Sequence, residues 1–582
     1  MNAIVAGATR INRRLARHAP LLALVVIALG CLVAIFTPAG LGWDFANFYD
    51  AGNKALVGET HNLFDENAQI DGEAPQSNMP FLSAPVSSYL YVGLALFDPE
   101  LALVLFKAEN ALAIALALAI LYFSLLGHVA PADRHRFTTQ FLVAALLFQP
   151  FWTVFRVGGQ STPTILLLLA AGLALHAQAR FFWSAACMTM IVLIKPVFIP
   201  GAVFLALASG QRFFLAASLI GGMVGAFSIG LMGVDIHIAL VERMASEAGR
   251  LWPSHYNSAL TSGLEYLLPP ICEAGPDGDA TCRHHPAIAA LSSAIRAGAA
   301  LSLIFVYVAA ARSGIGVQAR RHFAWIIAAI LPMVATPVVW AHYLSALFLL
   351  VAFALAMRRH FSRPAMALIA AIVLLSVGQN LILILEAVRL IGMDQPIEQI
   401  GMGVFKSLPL WLTLAFLLLH RRAIFSAYRA PGWSDPGGGL RLTGVAARIA
   451  ADPRIRFIAA GGALAAMNWL LRFPLSLALP YEAAVIAAAL AMIAVGFFLY
   501  RGYVFAPSPR SARWQMTMFF IVSLVGVGVT TLIAAEARDI FQNRSQLRAA
   551  DAEAIGHIFG IGAAAIWNFL GHRYLTFGRT TA

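Results

Sequence analysis

Apolar runs of membrane-crossing length alternate along this chain with short clusters of arginine. A helix needs about 20 apolar residues to cross the hydrocarbon core, and the first run extends from Pro20 to Gly40, behind Arg10, Arg13, Arg14 and Arg17. No obvious cleavage site follows it, so it reads as an uncleaved span rather than a signal peptide. Arg and Lys gather in cytoplasmic loops, which assigns "ADRHR" (132–136), "AQAR" (177–180), "GQR" (210–212), "ARSGIGVQARRH" (311–322), "MRRHFSR" (357–363) and "HRRAIFSAYR" (420–429) to the inside. Facing out are Asp44, residues 156–160, Lys195, the loop at 233–286, residues 340–343 and residues 379–401. The alternation predicts about 12 spans before residue 420. Residues 84–97, "APVSSYLYVGLALF", are too short for a comfortable span and read as an interfacial or re-entrant helix; 183–194 and 197–209 are also short.

Residues 421–452 are rich in Gly, Pro and Arg and read as a cytoplasmic linker. Further spans follow near 454–478, 482–500, 515–535 and 554–572, with both chain ends inside. "GFFLYRGYVF" (496–505) aligns with "NFLGHRYLTF" (568–577), setting Phe497 over Phe569, Arg501 over Arg573 and Phe505 over Phe577. Each stretch ends the second helix of a pair, the mark of a parallel internal repeat.

Composition agrees. The 582 residues are 60% hydrophobic and 12% charged, with a mean hydropathy of +0.77, which excludes soluble globular classes and defines an all-α polytopic membrane protein. The net charge of +12 is dispersed between apolar segments, so it reports topology and not a nucleic-acid surface. Cys31 and Cys187 fall inside apolar runs, whereas Cys272 and Cys282 share a hydrophilic loop and are the pair able to bridge on an oxidising side.

Polar groups beside apolar segments are expensive and therefore informative. On the outward side they are Asp44, Asn47, Tyr49 and Asp50; Arg156 and Gln160; Lys195; His255, Tyr256 and Asn257; and His342. Asp44 suits a general base for a hydroxyl proton, although an Asp there equally caps a following helix. Asp50 reads as structural. Lys195, one of four lysines, suits a phosphate as a point charge, or snorkels to the interface; Arg156 offers a phosphate two donors. The adjacent histidines of "RHHP" (283–286) lack metal-ligand spacing, and no glycine-rich phosphate loop follows a strand, so neither a metal nor a nucleotide cofactor is indicated.

The ordered set "DFANFYDAGNKALVGETHNLFD" (44–65), "GGQSTPTILLLLAAGLAL" (158–175), "IKP" (194–196), "YNSALTSG" (256–263) and "TPVVWAHYL" (336–344) resembles glycosyltransferase family 87 over residues 20–420. These are polyprenol-phosphate-mannose-dependent enzymes of the GT-C superfamily. Residues 453–579, with Arg456 and Phe457 entering the first span, Gly461 and Gly462 soon after and the repeated aromatic–Arg ends, resemble the GtrA-like family, members of which handle polyprenyl-phosphate sugars. The resemblances imply a GT-C domain (1–420), a linker (421–452) and a four-span GtrA-like domain (453–579) in a bacterial inner membrane, with the active site on the extracytoplasmic side.

The implied activity is transfer of mannose or another hexose from a polyprenyl-phosphate monosaccharide to a glycan, glycolipid or protein acceptor, with inversion and no nucleic-acid partner. Asp44 would be the base. Lys195, Arg156, Gln160, His342, Asn257, Tyr256, Asn47 and Tyr49 would bind substrate or phosphate, and Arg456, Arg501 and Arg573 would contact the carrier. The alternative is a lipid-sugar translocase or carrier-binding accessory protein with no transfer chemistry of its own. Because the leaving group is a single phosphate, the expected activity is metal-independent: transfer measured with excess EDTA should equal transfer without it.

Overall fold

The computed structural model describes residues 21, 23–36, 43–64, 81–156, 158–252, 257–274, 280–378, 381, 395–430, 433, 453–500, 511–544 and 548–576. The architecture is helical. A first group comprises α1 (Ala23–Phe36), α2 (Trp43–Val57), α3 (Pro99–Leu126), α4 (Arg134–Leu147), α5 (Pro150–Arg156), α6 (Thr162–Ala177), α7 (Phe181–Ile194) and α8 (Ile199–Ala208). Then come α9 (Gln211–Met232), α10 (Asp235–Gly249), the antiparallel hairpin β1 (Ile271–Ala274) and β2 (Ala280–Arg283), α11 (Pro286–Arg312), α12 (Val317–Ala335) and α13 (Phe348–Ala356). α14 (Arg363–Leu375), α15 (Pro396–Leu419) and α16 (Arg421–Tyr428) complete the group, and α17 (Pro453–Leu475), α18 (Tyr481–Leu499), α19 (Ala512–Arg544) and α20 (Ala549–Gly571) form a C-terminal bundle.

Six of these helices are long and apolar enough to cross a membrane, among them α3, α9, α11, α15 and α20. Their outer faces carry apolar side chains that water would not tolerate in such density: on α9, Leu215 and Leu219 are 64% and 56% exposed, and on α11, Leu301 and Phe305 are 65% and 61% exposed. The chain is a multi-pass membrane protein.

α12 and α13 form the centre, with Phe323, Trp325, Phe348 and Phe353 fully buried. α6 approaches Trp325 so closely that a Cβ on Gly172 would lie 2.1 Å from the indole. His176 in this core is satisfied locally: it reaches Ser184 Oγ at 3.1 Å through Nδ1 and Ser209 Oγ at 2.9 Å through Nε2.

Several expectations shift. Residues 84–97 form a seven-residue 3-10 segment, Pro85–Tyr91, followed by turns. The short pair at 183–209 becomes α7 and α8, about 21 and 15 Å long at 1.5 Å per residue, each less than a bilayer thickness. The stretch read as linker starts with a packed helix, α16: Tyr428 Oη meets His322 Nδ1 at 2.7 Å, and buried Trp433 stacks on His128 at 3.9 Å. The aromatic side chains there outweigh the flexible composition. Residues 434–452 lie outside the described set.

In the C-terminal bundle α19 and α20 pack through Gly556 and Gly560, whose added Cβ atoms would meet Ala534 O at 2.7 Å and Thr530 O at 2.4 Å, the small-residue contact of membrane helices. Tyr500 and His572 hold equivalent places at the ends of α18 and α20, and both rings pack on Phe519, at 5.9 and 4.4 Å.

This bundle joins the first group through α2. Trp469 and Phe473 of α17 and Ala554 of α20 share a cluster with Ala55 and Leu56 of α2 and with Tyr89 and Val92. Arg548 donates to Asn53 Oδ1 at 3.1 Å. Behind this contact Arg472, 2% exposed, pairs with Glu553 at 3.1 Å.

Removing one partner of a buried pair leaves an uncompensated charge. Glu553→Ala would strand the Arg472 guanidinium, 2% exposed, and should therefore destabilise the protein by about 3–5 kcal/mol. Arg538→Ala, which breaks exposed pairs with Glu482 and Asp539, should cost about 1 kcal/mol or less. Thermal denaturation in detergent checks the order.

Candidate functional site

A cavity of about 410 Å³ lies where breaks in several helices meet, and Asp44, Asn47, Lys195, Glu247, Trp252 and Trp340 are among its lining residues. Its size suits a small-molecule ligand. Asp44, Asn47 and Phe48, at i, i+3 and i+4 of α2, share one helix face, so the first turns of α2 present an acid, an amide and a ring together.

Lys195 sits at the break between α7 and α8, in extended backbone at φ −140°, ψ 95°. The following Pro196 cannot continue the hydrogen-bonding of α7, and the orphaned carbonyls at the end of α7 are taken by neighbours. Ser83 Oγ donates to Ile194 O at 2.7 Å, and Ala84 N donates to Leu193 O at 2.9 Å. The Lys195 ammonium lies between the rings of Phe48 and Tyr343, 5.7 and 5.6 Å from their centres. Among the described residues no carboxylate forms an ion pair with it.

The "GGQ" turn supplies the next group. Gly158 and Gly159 adopt φ of 83° and 101°, values that only glycine holds without strain. A Cβ on Gly159 would also lie 2.6 Å from Phe106 Cδ1. The turn is pinned where Gln160 N donates to Asn110 Oδ1 at 2.8 Å, and the Gln160 side chain donates to the Asp44 carboxylate. Burial raises the Asp44 carboxyl above its ordinary range; the Gln160 hydrogen bond and the Lys195 charge oppose this.

His342 is buried beside Tyr343, with ring centres 4.9 Å apart. Among the described residues its Nε2 has no hydrogen-bond partner, and it lies within electrostatic reach of Lys195, behind the cavity wall rather than on it.

Two candidates from the sequence are directed elsewhere. Tyr49 donates to Phe97 O at 2.8 Å and lies off the cavity. Asn257 is a backbone pin: it donates to Pro337 O at 3.0 Å and accepts from Ala259 N and Val339 N at 2.9 and 3.0 Å, fixing the 336–340 wall. Asn257 also bonds Glu265, whose carboxyl burial pushes up to about 8 against the pull of Arg296. Asp50 pairs with Lys54 at 2.9 Å. His255, Tyr256 and Arg501, and the side chains of Arg156, Arg456 and Arg573, lie outside the described residues.

Sequence reading passed over Glu247 and Trp252. Glu247, in α10, is buried and pairs with Arg243 at 3.4 Å; Trp252 meets Trp340 edge-on at 5.2 Å. The available signal was weak: an Arg and a Glu four apart are ordinary on a solvated helix. Cys272 and Cys282 are disulfide-bonded, directly opposite in the hairpin. That hairpin holds the Trp252 segment, because Leu251 N donates to Cys282 O at 2.9 Å. Among the described residues no three His, Cys, Asp or Glu side chains cluster as metal ligands.

The C-terminal bundle encloses a second cavity of about 550 Å³, lined by glycines and alanines together with Asn468 and Asn568, whose Oδ1 atoms have no partner among the described residues. Residues 456–577 match the family described as GtrA/DPMS, transmembrane domain, so this polytopic protein carries a GtrA/DPMS transmembrane domain at its C-terminal end. No curated protein matches the chain, and no solved structure does.

Gly159→Ala should destabilise the protein by about 1–3 kcal/mol through backbone strain alone. Gly221→Ala, in open space on α9, should be neutral or stabilising by up to about 1 kcal/mol. Thermal midpoints of the purified variants compare the two.

Proposed function

We propose that the protein is a membrane glycosyltransferase that moves a hexose, mannose among the candidates, from a polyprenyl-phosphate carrier to an extracytoplasmic acceptor. One observation carries the reading: a half-buried acid, Asp44, and a cation outside any ion pair among the described residues, Lys195, share a ligand-sized cavity with aromatic walls. The GtrA/DPMS match links the chain to polyprenol-phosphate-sugar chemistry, and the ordered motifs from Asp44 to His342 resemble family 87.

In this mechanism the acceptor hydroxyl loses its proton to the Asp44 carboxylate as its oxygen attacks the anomeric carbon. The bond from that carbon to the phosphate oxygen breaks, and polyprenyl phosphate leaves with the electron pair. Single displacement inverts the centre. Lys195 stabilises the charge developing on the leaving phosphate, with His342 behind it, and Gln160 holds the base in place. Arg156 would offer the phosphate two further donors.

A second reading has its own support. The asparagine-lined cavity of the C-terminal bundle suits a protein that binds or translocates the carrier without transferring its sugar. Asp44→Asn separates the two. As a transferase, the variant should lose about 10²–10⁴-fold in turnover with purified protein and synthetic polyprenyl-phosphate hexose. Undiminished transfer would sink the reading.

The pH profile gives an independent check. Asp44 acts deprotonated and its pKa is raised, so wild-type turnover should climb with pH through a midpoint above the usual carboxylate value of about 4. Gln160→Leu removes an interaction that favours the anion, so it should move that midpoint to higher pH.

A further inference from the structure

We infer that Glu247, with the Trp252 and Trp340 wall, is the sugar subsite of the Asp44 cavity and restricts it to neutral, hydroxyl-rich hexoses, excluding acidic sugars. The inference deepens the transferase reading and rests on it for the orientation of the donor, phosphate toward Lys195 and sugar toward Glu247.

The chemistry of the lining separates into two ends. Lys195 is the cation that faces the cavity outside any ion pair among the described residues, and it matches the phosphate. Glu247 reaches the same cavity from α10. Its carboxylate pairs with Arg243 at 3.4 Å. An ionised carboxylate only accepts hydrogen bonds, and sugar hydroxyls are donors of matching sense. Beside it Trp252 and Trp340, edge to face at 5.2 Å, offer apolar surface to the C–H face of a pyranose.

This wall is braced from behind. The Arg250 guanidinium lies 4.6 Å from the Trp252 ring centre, and the disulfide-closed hairpin is bonded to the backbone of Leu251. Such bracing is what a selective subsite needs, since an aromatic wall that moved would not discriminate.

Charge then sets the class of sugar. A hexuronate would bring its carboxylate into a cavity that already holds Asp44 and Glu247, with Arg243 engaged by Glu247 and Lys195 by the carrier phosphate. Like charges disfavour that ligand. A neutral hexose brings no charge, and its hydroxyls can donate to the carboxylates.

The test uses the full chain in nanodiscs and three probes on one polyprenyl-phosphate carrier: a neutral hexose, the corresponding hexuronate, and the bare phosphate. Binding is read by native mass spectrometry. Wild type should bind the hexose lipid at least about tenfold more tightly than the hexuronate lipid, the difference one well-placed charge interaction of about 1.4 kcal/mol makes. Glu247→Gln should bring that ratio to about threefold or less and leave affinity for the bare phosphate unchanged. Glu247→Asp, which keeps the charge and moves it back, should weaken the hexose lipid while still rejecting the hexuronate. A wild type that binds both sugars equally, or a Glu247→Gln variant that keeps the full ratio, overturns the inference. Selective binding without any transfer would instead count against the transferase reading and leave the subsite standing.

Discussion

Backbone N–H and C=O groups have no water to bond in the hydrocarbon layer, so helices can break there only where the surrounding protein satisfies what the break exposes. The site of this protein is built from helix breaks whose freed backbone groups are met by neighbouring residues. Between α7 and α8 the freed carbonyls are met by Ser83 and Ala84. After α5 the chain turns through two left-handed glycines and is held by Asn110. After α12 the backbone at Pro337 and Val339 is held by Asn257. Each repair brings a side chain to one cavity or its border: Lys195, Gln160 and Trp340.

The same constraint explains why so many polar residues near the site do not touch the cavity. Ser83, Asn110 and Asn257 are spent on backbone groups, which in this environment is their most stabilising use. The four lysines divide in the same way. Lys54 is neutralised by Asp50, Lys107 and Lys406 are buried in helices, and Lys195 faces the cavity. Charge is rare here, so its placement is specific.

The helix that bears Asp44 also ties the two helical groups together. Its first turns line the cavity, and its last turns, from Asn53 to Leu56, pack against α17, α20 and Arg548. A carrier-handling bundle and a transfer site, in the function proposed here, would thus share one fifteen-residue helix as a common wall. Movement in the bundle would reach the base through rigid backbone.

Much of this was legible without coordinates. Hydropathy alone separates spans from loops because lipid imposes length and polarity on every crossing, and the C-terminal helices match the expected spans to within a few residues at most ends. Asp44 and Lys195 stood out because charge beside apolar runs is costly, and Cys272 and Cys282 because they share one polar loop. Nothing local distinguishes Glu247 from a solvated helix acid, Tyr49 from a ligand-binding phenol, or residues 421–433 from a linker. Those roles depend on which surfaces meet. The chain by itself determined where the membrane segments lie and which charges are out of place, since those follow from composition over a window. Only the tertiary structure decided which polar groups repair broken helices and which are left facing the cavity, because hydrogen-bond partners far apart in sequence are chosen by packing.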